Sequence, residues 1–383
     1  MSNMHLVDVP SCYPPHHGGL ELYARELHQH LLAADPELRI TVLTSELGAS
    51  PGTEVINDRL TVVRWPAWEP VSPFPVPKPG FTALLRQCCS QSPNTVLMTH
   101  TRFFYHALLV SLWASRHDVR RVHIEHGAGL VESGNAGVRL VANVVDHTAA
   151  KYVLRRADAV LAVSESAKRF VNQLAGVRAA AVRRGIDLPD GLVARSVADP
   201  PTLCFVGRLI SGKGAADLLA AVKTLCDDGL TVHVRICGDG PARAELGERV
   251  LSLGLSSQVA FLGAVDHETA LREMADCTVF VNPSWTEGLG GTVLEAAALG
   301  CAVVATAVGG VPEIVTDGET GWLVPAKRPA ELARALRDAI GDADRRRVYG
   351  ERLRRSTAER FSWDDVVGVV SGMLRGTAVS RSD

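Results

Sequence analysis

The chain has 383 residues, 46% of them hydrophobic, and carries 40 Lys and Arg against 42 Asp and Glu, a formal net charge of −2. That length is expected to divide into two domains with separate apolar cores, and the near-neutral balance leaves no general basic field for nucleic acid. Apolar runs reach about eight residues where a membrane span needs about 20, and the eight cysteines show no paired metal-ligand spacing.

The start, "MSNMHLVDVP", enters a strand-like run without a signal-peptide pattern, so reduced thiols and a cytoplasmic location are expected. Candidate strands in the first half are 5–9, 40–45, 60–65, 95–99, 121–125 and 159–164. After the first of them, "YPPHHGG" leads into a helix with Leu20, Tyr23, Ala24, Leu27 and Leu31 on one stripe. Gly18 and Gly19 either permit the turn or let the backbone approach a ligand. His16 and His17 either contact an acceptor or stand exposed. The segment "WPAWEPVSPFPVPKPG" (65–80), with six prolines and two tryptophans, excludes a regular helix or a central strand. A stiff surface connector is its plainer reading, a lid or acceptor wall its functional one. "RVHIEHGAG" (121–129) ends a strand in His126, while His123 reads as packed or hydrogen-bonded.

A polar, Pro- and Gly-punctuated stretch (184–200) reads as a linker between a first domain (1–183) and a second (201–361). Strands are expected again at 202–206, 232–237, 259–263, 278–282 and 302–306, alternating with helical segments. The fold class is therefore α/β, two doubly wound Rossmann-like domains facing one another, with ligands expected in the cleft beyond the C-terminal strand ends.

In "CFVGRLISGKG" (204–214), Gly207, Gly212 and Lys213 fit G-x-x-x-x-G-K, but Gly214 stands where a P-loop has the Ser or Thr that holds Mg²⁺. A broken hydrolase loop, a different phosphate site and a plain turn are the alternatives. In "NPSWTEGLGGTVLEAAALG" (282–300) a strand ends, a Gly-rich turn follows, and a helix is closed by Gly300. Backbone N–H groups at that helix start, over Leu289, Gly290, Gly291 and Thr292, form an anion site. Glu287 precedes the turn and Glu295 falls about two turns into the helix. One carboxylate suits a sugar near the phosphate and the other a ribose; a cap and a solvated helix Glu are the plain alternative. "DAD" (342–344) imitates a metal-binding D-x-D, but lies in an Arg-rich helical region and is set aside.

Together, "PSWTEGLGGTVLEAAALGCAVVATAVGGVPEIV", "FVGRLISGKG", "ICGDGP", "ADAVLAVSESAK" and "DGETGWLV" resemble, in order, the motifs of the retaining family-4 glycosyltransferases, which have the GT-B fold and an E-x7-E donor motif. The resemblance covers essentially the whole chain and is strongest over 200–325. It implies a nucleotide-diphosphate-sugar donor, a UDP-sugar such as UDP-GlcNAc before a GDP-sugar, with a small-molecule or lipid-linked hydroxyl acceptor. It implies retention, no metal and no cofactor. Arg208, Lys213 and the Gly19 loop take the diphosphate, Glu287 and His126 the donor sugar, Glu295 the ribose, and His16, His17 and Gly18 the acceptor side. Two fixed cations beside a helix start can hold a leaving diphosphate without Mg²⁺.

The resemblance also implies that a C-terminal helix (within 362–383) packs back on the first domain. Asp364, Asp365 and one basic residue in it argue against a peripheral membrane contact. Arg184 stands where the family usually has Asn, and Gly291-Thr292 where bulkier apolar residues are frequent. The alternatives are another GT-B enzyme, such as a nucleotide-sugar epimerase or a phosphorylase, and a non-catalytic two-lobed binding protein.

Overall fold

The computed structural model describes residues 4–16, 18–48, 52–71, 74–130, 136–189, 191–195 and 200–377; His17 lies outside them. The described chain forms two compact units. One is built from residues up to 130, 137–185 and from Trp363 onward, the other chiefly from Ile186–Ser362.

In the first unit, β1 (His5–Val9), β2 (Arg39–Glu46), β6 (Thr95–His100), β7 (Arg120–Glu125) and β8 (Ala159–Ala162) run parallel. With β3 (Gly52–Asn57), β4 (Leu60–Val71) and β9 (Ala180–Ala181) the sheet order is β3-β4-β2-β1-β6-β7-β8-β9. Helices cover the middle strands on both faces, so those strands read as continuous apolar runs rather than alternating ones. Val7, Val9, Leu43 and Leu97 pack against Phe81 and Leu85 of α2 (Phe81–Cys89) and Val110 and Trp113 of α3 (Tyr105–Ala114).

The proline-rich stretch departs from the connector reading. β4 continues through Pro66 and Pro70, and β5 (Phe74–Pro77) folds back on it antiparallel, pairing Ala67 with Pro77 and Trp68 with Val76. A two-stranded ribbon off the main sheet has outward N–H groups that need no partner, so prolines are tolerated there. β3 escaped the sequence reading because it is exposed along its whole length and carries no apolar run.

The C-terminal helix, α14 (Trp363–Arg375), lies against α1 (Gly19–Ala34). Trp363 stacks on His30 with ring centroids 4.7 Å apart, and Arg375 pairs with Asp35 at 2.7 Å. Arg184 is buried, its guanidinium 2.9 Å from Glu26 of α1.

The second unit is a six-stranded parallel sheet ordered β12-β11-β10-β13-β14-β15. Its strands are β10 (Thr202–Val206), β11 (His233–Cys237), β12 (Val259–Gly263), β13 (Val279–Asn282), β14 (Val303–Thr306) and β15 (Trp322–Val324). Leu203, Phe205, Val234, Ile236, Val279 and Val304 form its core with α7 (Ala215–Asp227) and α12 (Pro329–Gly341). β10, first in sequence, lies between β11 and β13. The order therefore reverses between β10 and β13, and at that point the loops leave to opposite faces and open a crevice.

Candidate active site

Both loops carrying the phosphate-type motifs leave the second sheet at its switch point, one after β10 and one after β13. After β10 a short 3-10 turn, Ser211–Lys213, precedes Gly214 at φ 69°. A Cβ on Gly214 would stand 1.9 Å from the carbonyl oxygen of Pro283, so neither Ser nor Thr fits without moving the neighbouring loop. This is the physical reason the P-loop pattern stops at Lys213. Gly309, at φ 54°, is held the same way: its Cβ would meet the carbonyl oxygen of Glu287 at 1.7 Å. Two glycines thus press the β10 and β14 turns against the 283–287 backbone.

Those contacts bring Lys213 to Glu287, Nζ to Oε1 2.6 Å. The Ser284 hydroxyl donates to the same carboxylate oxygen at 2.7 Å and Asn282 Nδ2 at 3.4 Å. Burial alone would raise the Glu287 carboxyl, but Lys213 and these donors more than offset it and hold it below the ordinary carboxylate value. Glu287 is an ionised acceptor with a cation already seated on it. It is not a helix cap.

α10 (Gly291–Leu299) begins immediately beyond, with Gly290 at φ 97° as its N-cap and no side chain accepting from its first turn. Ser164 caps α6 (Glu165–Ala175) and Asp266 caps α9 (His267–Ala275) with their side chains, which a glycine cannot do. A helix start without a side-chain cap leaves N–H groups that can bind an anion. Because the helix starts at Gly291, Glu295 sits about one turn in, not two. It is buried, which removes the reading of a solvated helix glutamate. Arg208 is exposed at the edge of the same β10 loop. "DAD" is a helix start: Asp342 accepts from the N–H of Arg345 and caps α13 (Ala343–Arg360). Among the described residues no group of three or more His, Cys, Asp or Glu is placed to hold a metal ion.

In the first unit the switch point lies between β1 and β6. Gly19 opens α1 with nothing within 4 Å of a Cβ placed on it, and Gly18 is its N-cap in extended conformation. His16 stands 3.5 Å from Glu46. His126 follows β7 directly, its Nε2 3.0 Å from His100 Nδ1 and its ring edge-on to Tyr23, centroids 5.0 Å apart. His123 is buried and bonded to Thr99 at 2.9 Å, as its sequence position implied.

The sequence reading passed over His100 and Asp8. Asp8 is fully buried at the C-terminal end of β1, with His100 Nε2 at 2.9 Å and His28 Nε2 at 2.7 Å. Their signal was available: an aspartate inside the apolar run "HLVDV" and a histidine closing "TVLMT", both at strand ends.

Two doubly wound sheets, each with a glycine-led helix at its switch point, are the arrangement of the GT-B glycosyltransferases. The comparisons agree: residues 17–189 match the profile described as Glycosyltransferase Family 4, and residues 193–356 that of Glycosyl transferases group 1. The alpha-maltose-1-phosphate synthase of Mycolicibacterium smegmatis is 34% identical over 70% of this chain and 76% of its own. The structure of a sucrose-phosphate synthase from Thermosynechococcus elongatus superposes with a TM-score of 0.80 at 20% identity, covering 97% of this chain and 98% of that one. HepE of Anabaena, in complex with UDP-glucose, superposes with a TM-score of 0.73 at 18% identity over 97% and 100%. The chain belongs to glycosyltransferase family 4.

Proposed function

We propose that this glycosyltransferase moves a sugar from a nucleotide diphosphate, UDP before GDP or ADP, to an acceptor hydroxyl with retention and without a metal. The observation that carries the reading is the Lys213–Glu287 pair at the switch point beside the uncapped start of α10. In the reaction the bond from the anomeric carbon to the diphosphate oxygen breaks and a bond to the acceptor oxygen forms on the same face. The acceptor proton passes to the leaving phosphate oxygen. Lys213, Arg208 and the N–H groups of Leu289–Thr292 would hold the charge that develops there. Glu287, kept ionised, would accept hydrogen bonds from donor-sugar hydroxyls, and Glu295 from the ribose. His126 would lie near the oxocarbenium-like centre, where burial keeps its imidazole well below its ordinary value and therefore neutral. A neutral ring adds no positive charge beside a developing cation. The UDP-glucose held by HepE supports uridine as the first nucleotide to test.

The test is a thermal-shift series with UDP, GDP, ADP and dTDP, with and without EDTA, followed by NMR of the product anomer. A shift with one nucleotide that survives EDTA, and a product of unchanged anomeric configuration, are expected. A shift that EDTA abolishes would overturn the metal-free assignment. No shift with any nucleotide would favour a non-catalytic clasp.

A further inference from the structure

The strand ends of the first unit hold a continuous hydrogen-bonded line that runs Tyr13, His28, Asp8, His100, His126. Its distances are 3.0 Å from Tyr13 Oη to His28 Nδ1, 2.7 Å from His28 Nε2 to Asp8, 2.9 Å from Asp8 to His100 Nε2, and 3.0 Å from His100 Nδ1 to His126 Nε2. Asp8, His28 and His100 are inaccessible or nearly so. Asp8 and His100 belong to β1 and β6, the two strands flanking the switch point.

The proton positions follow from the chemistry of each group. Burial would raise the Asp8 carboxyl, but the His100 and His28 imidazoles more than offset it and hold it well below the usual carboxylate range. Asp8 is then an acceptor only, so the Nε2 atoms of both His28 and His100 carry protons. If each ring carries a single proton, the Nδ1 of each is a lone pair. His28 Nδ1 accepts from the Tyr13 hydroxyl. A singly protonated His100 accepts at Nδ1 from His126 Nε2–H, whereas a doubly protonated one would donate there and reverse the His126 tautomer. With each ring singly protonated one assignment satisfies all four bonds, and no described residue hydrogen-bonds the remaining nitrogen, Nδ1 of His126.

We propose that Asp8, acting through His100, is a positioning pair that fixes His126 as its Nε2–H tautomer and leaves Nδ1 as a hydrogen-bond acceptor. The consequence rests on the donor-sugar role given to His126 above. A ring held in this form receives a hydroxyl of the donor and leaves more electron density on that oxygen, which favours an oxocarbenium-like centre. The other tautomer would present an N–H and withdraw it. Tyr23, packed edge-on, restrains the plane of the ring. A partner that sets which nitrogen of a working histidine carries the proton is a general way of tuning it.

Long-range proton–nitrogen NMR of the full chain labelled at histidine reads the tautomer directly. His126 is expected with Nε2 protonated and Nδ1 bare. The reverse assignment overturns the proposal. Asp8→Ala removes the acceptor and should turn His126 into a mixture of tautomers. His28→Leu touches the same carboxylate from the other side and should leave His126 as in the wild type. A merely structural cluster would respond alike to both. In transfer assays His100→Leu should lower kcat about 10- to 100-fold, the scale of losing an orienting partner, with nucleoside-diphosphate affinity unchanged. Loss of that affinity as well would count against a positioning role. If the variants do not fold, the wild-type spectrum still decides. If the wild type transfers no sugar, the donor reading falls and the tautomer result stands by itself.

Discussion

Lys213 and Glu287 satisfy one another before any substrate arrives, and that decides how their variants should behave. Removing the lysine takes away the cation proposed to face the diphosphate and also strands a largely buried carboxylate, whose side chain is 9% exposed. Lys213→Ala is expected to lower kcat/KM about 10²- to 10³-fold, or about 3 to 4 kcal/mol of transition-state stabilisation, the scale for one electrostatic donor. Near-normal turnover would remove Lys213 from the mechanism. The same variant has a signature in stability. The Glu287 carboxyl is depressed in the folded protein, so the pair contributes stability above the ordinary 4.5 and loses it as pH falls through the lower folded value. The gap in Tm between wild type and Lys213→Ala should be full at pH 7 and narrow below pH 4.5. A gap independent of pH would mean that the lysine stabilises by packing alone. Gly19 gives the opposite test. A Cβ there meets nothing, so Gly19→Ala should leave Tm unchanged or slightly raised; a loss of donor affinity in that variant would support a backbone approach to the diphosphate.

Among the elements, β7 and the turn that follows α4 (Ala136–Val145) are tied by a buried charge cluster. Arg102 pairs with Glu125 at 2.9 Å and with Asp146 at 2.8 Å, and its own backbone N–H donates to Glu125 at 3.0 Å. Burial would raise Glu125, but Arg102 and His123 more than offset it and hold the carboxyl at about 2. Its contribution is present above 4.5, is lost as pH falls towards 2, and amounts to about 3 kcal/mol. Glu125→Gln leaves Arg102 with Asp146 alone of its two carboxylate partners and is expected to cost about 3 kcal/mol at pH 7. Urea denaturation at pH 7 and pH 3 should show that loss shrinking on the acid side; equal losses would contradict the ionised assignment. This cluster also shows where sequence reading stops. The central strands were legible to within a residue or two because a parallel sheet covered on both faces leaves an unbroken apolar run. The ribbon of β4 and β5 was not, because its pairing overrides prolines that locally argue against strand. For the site, Lys213 and Glu287 stood out as motif positions, and their contact is made by Gly214 and Gly309 meeting carbonyls far away in sequence. Asp8 and His100 stayed hidden because polar residues within apolar runs read as core until a tertiary partner appears.

On the scale of the molecule, the chain leaves the first unit after Gly185 and returns to it at Trp363, so that unit is not complete until the last helix is made. The two passages meet. A Cβ on Gly185 would fall 2.4 Å from the Trp363 ring, which also packs on Tyr23 and stacks on His30. The first unit therefore depends on one buried indole supplied from the far end of the sequence. Trp363→Ala should cost it about 3 to 5 kcal/mol, and Gly185→Ala should displace the same ring. Lys213, Glu287 and the start of α10 belong to the second unit, so a nucleotide held by them would act there. At 100 times its Kd it should stabilise that unit by about 2.7 kcal/mol. Differential scanning calorimetry separates the two effects: Trp363→Ala lowers the transition of the first unit, and UDP raises that of the second. If Trp363→Ala left every transition in place, α14 would be an accessory and not part of the unit it closes. The ligand shift is also expected to survive in that variant, since Lys213, Glu287 and α10 belong to the second unit and Trp363 to the first.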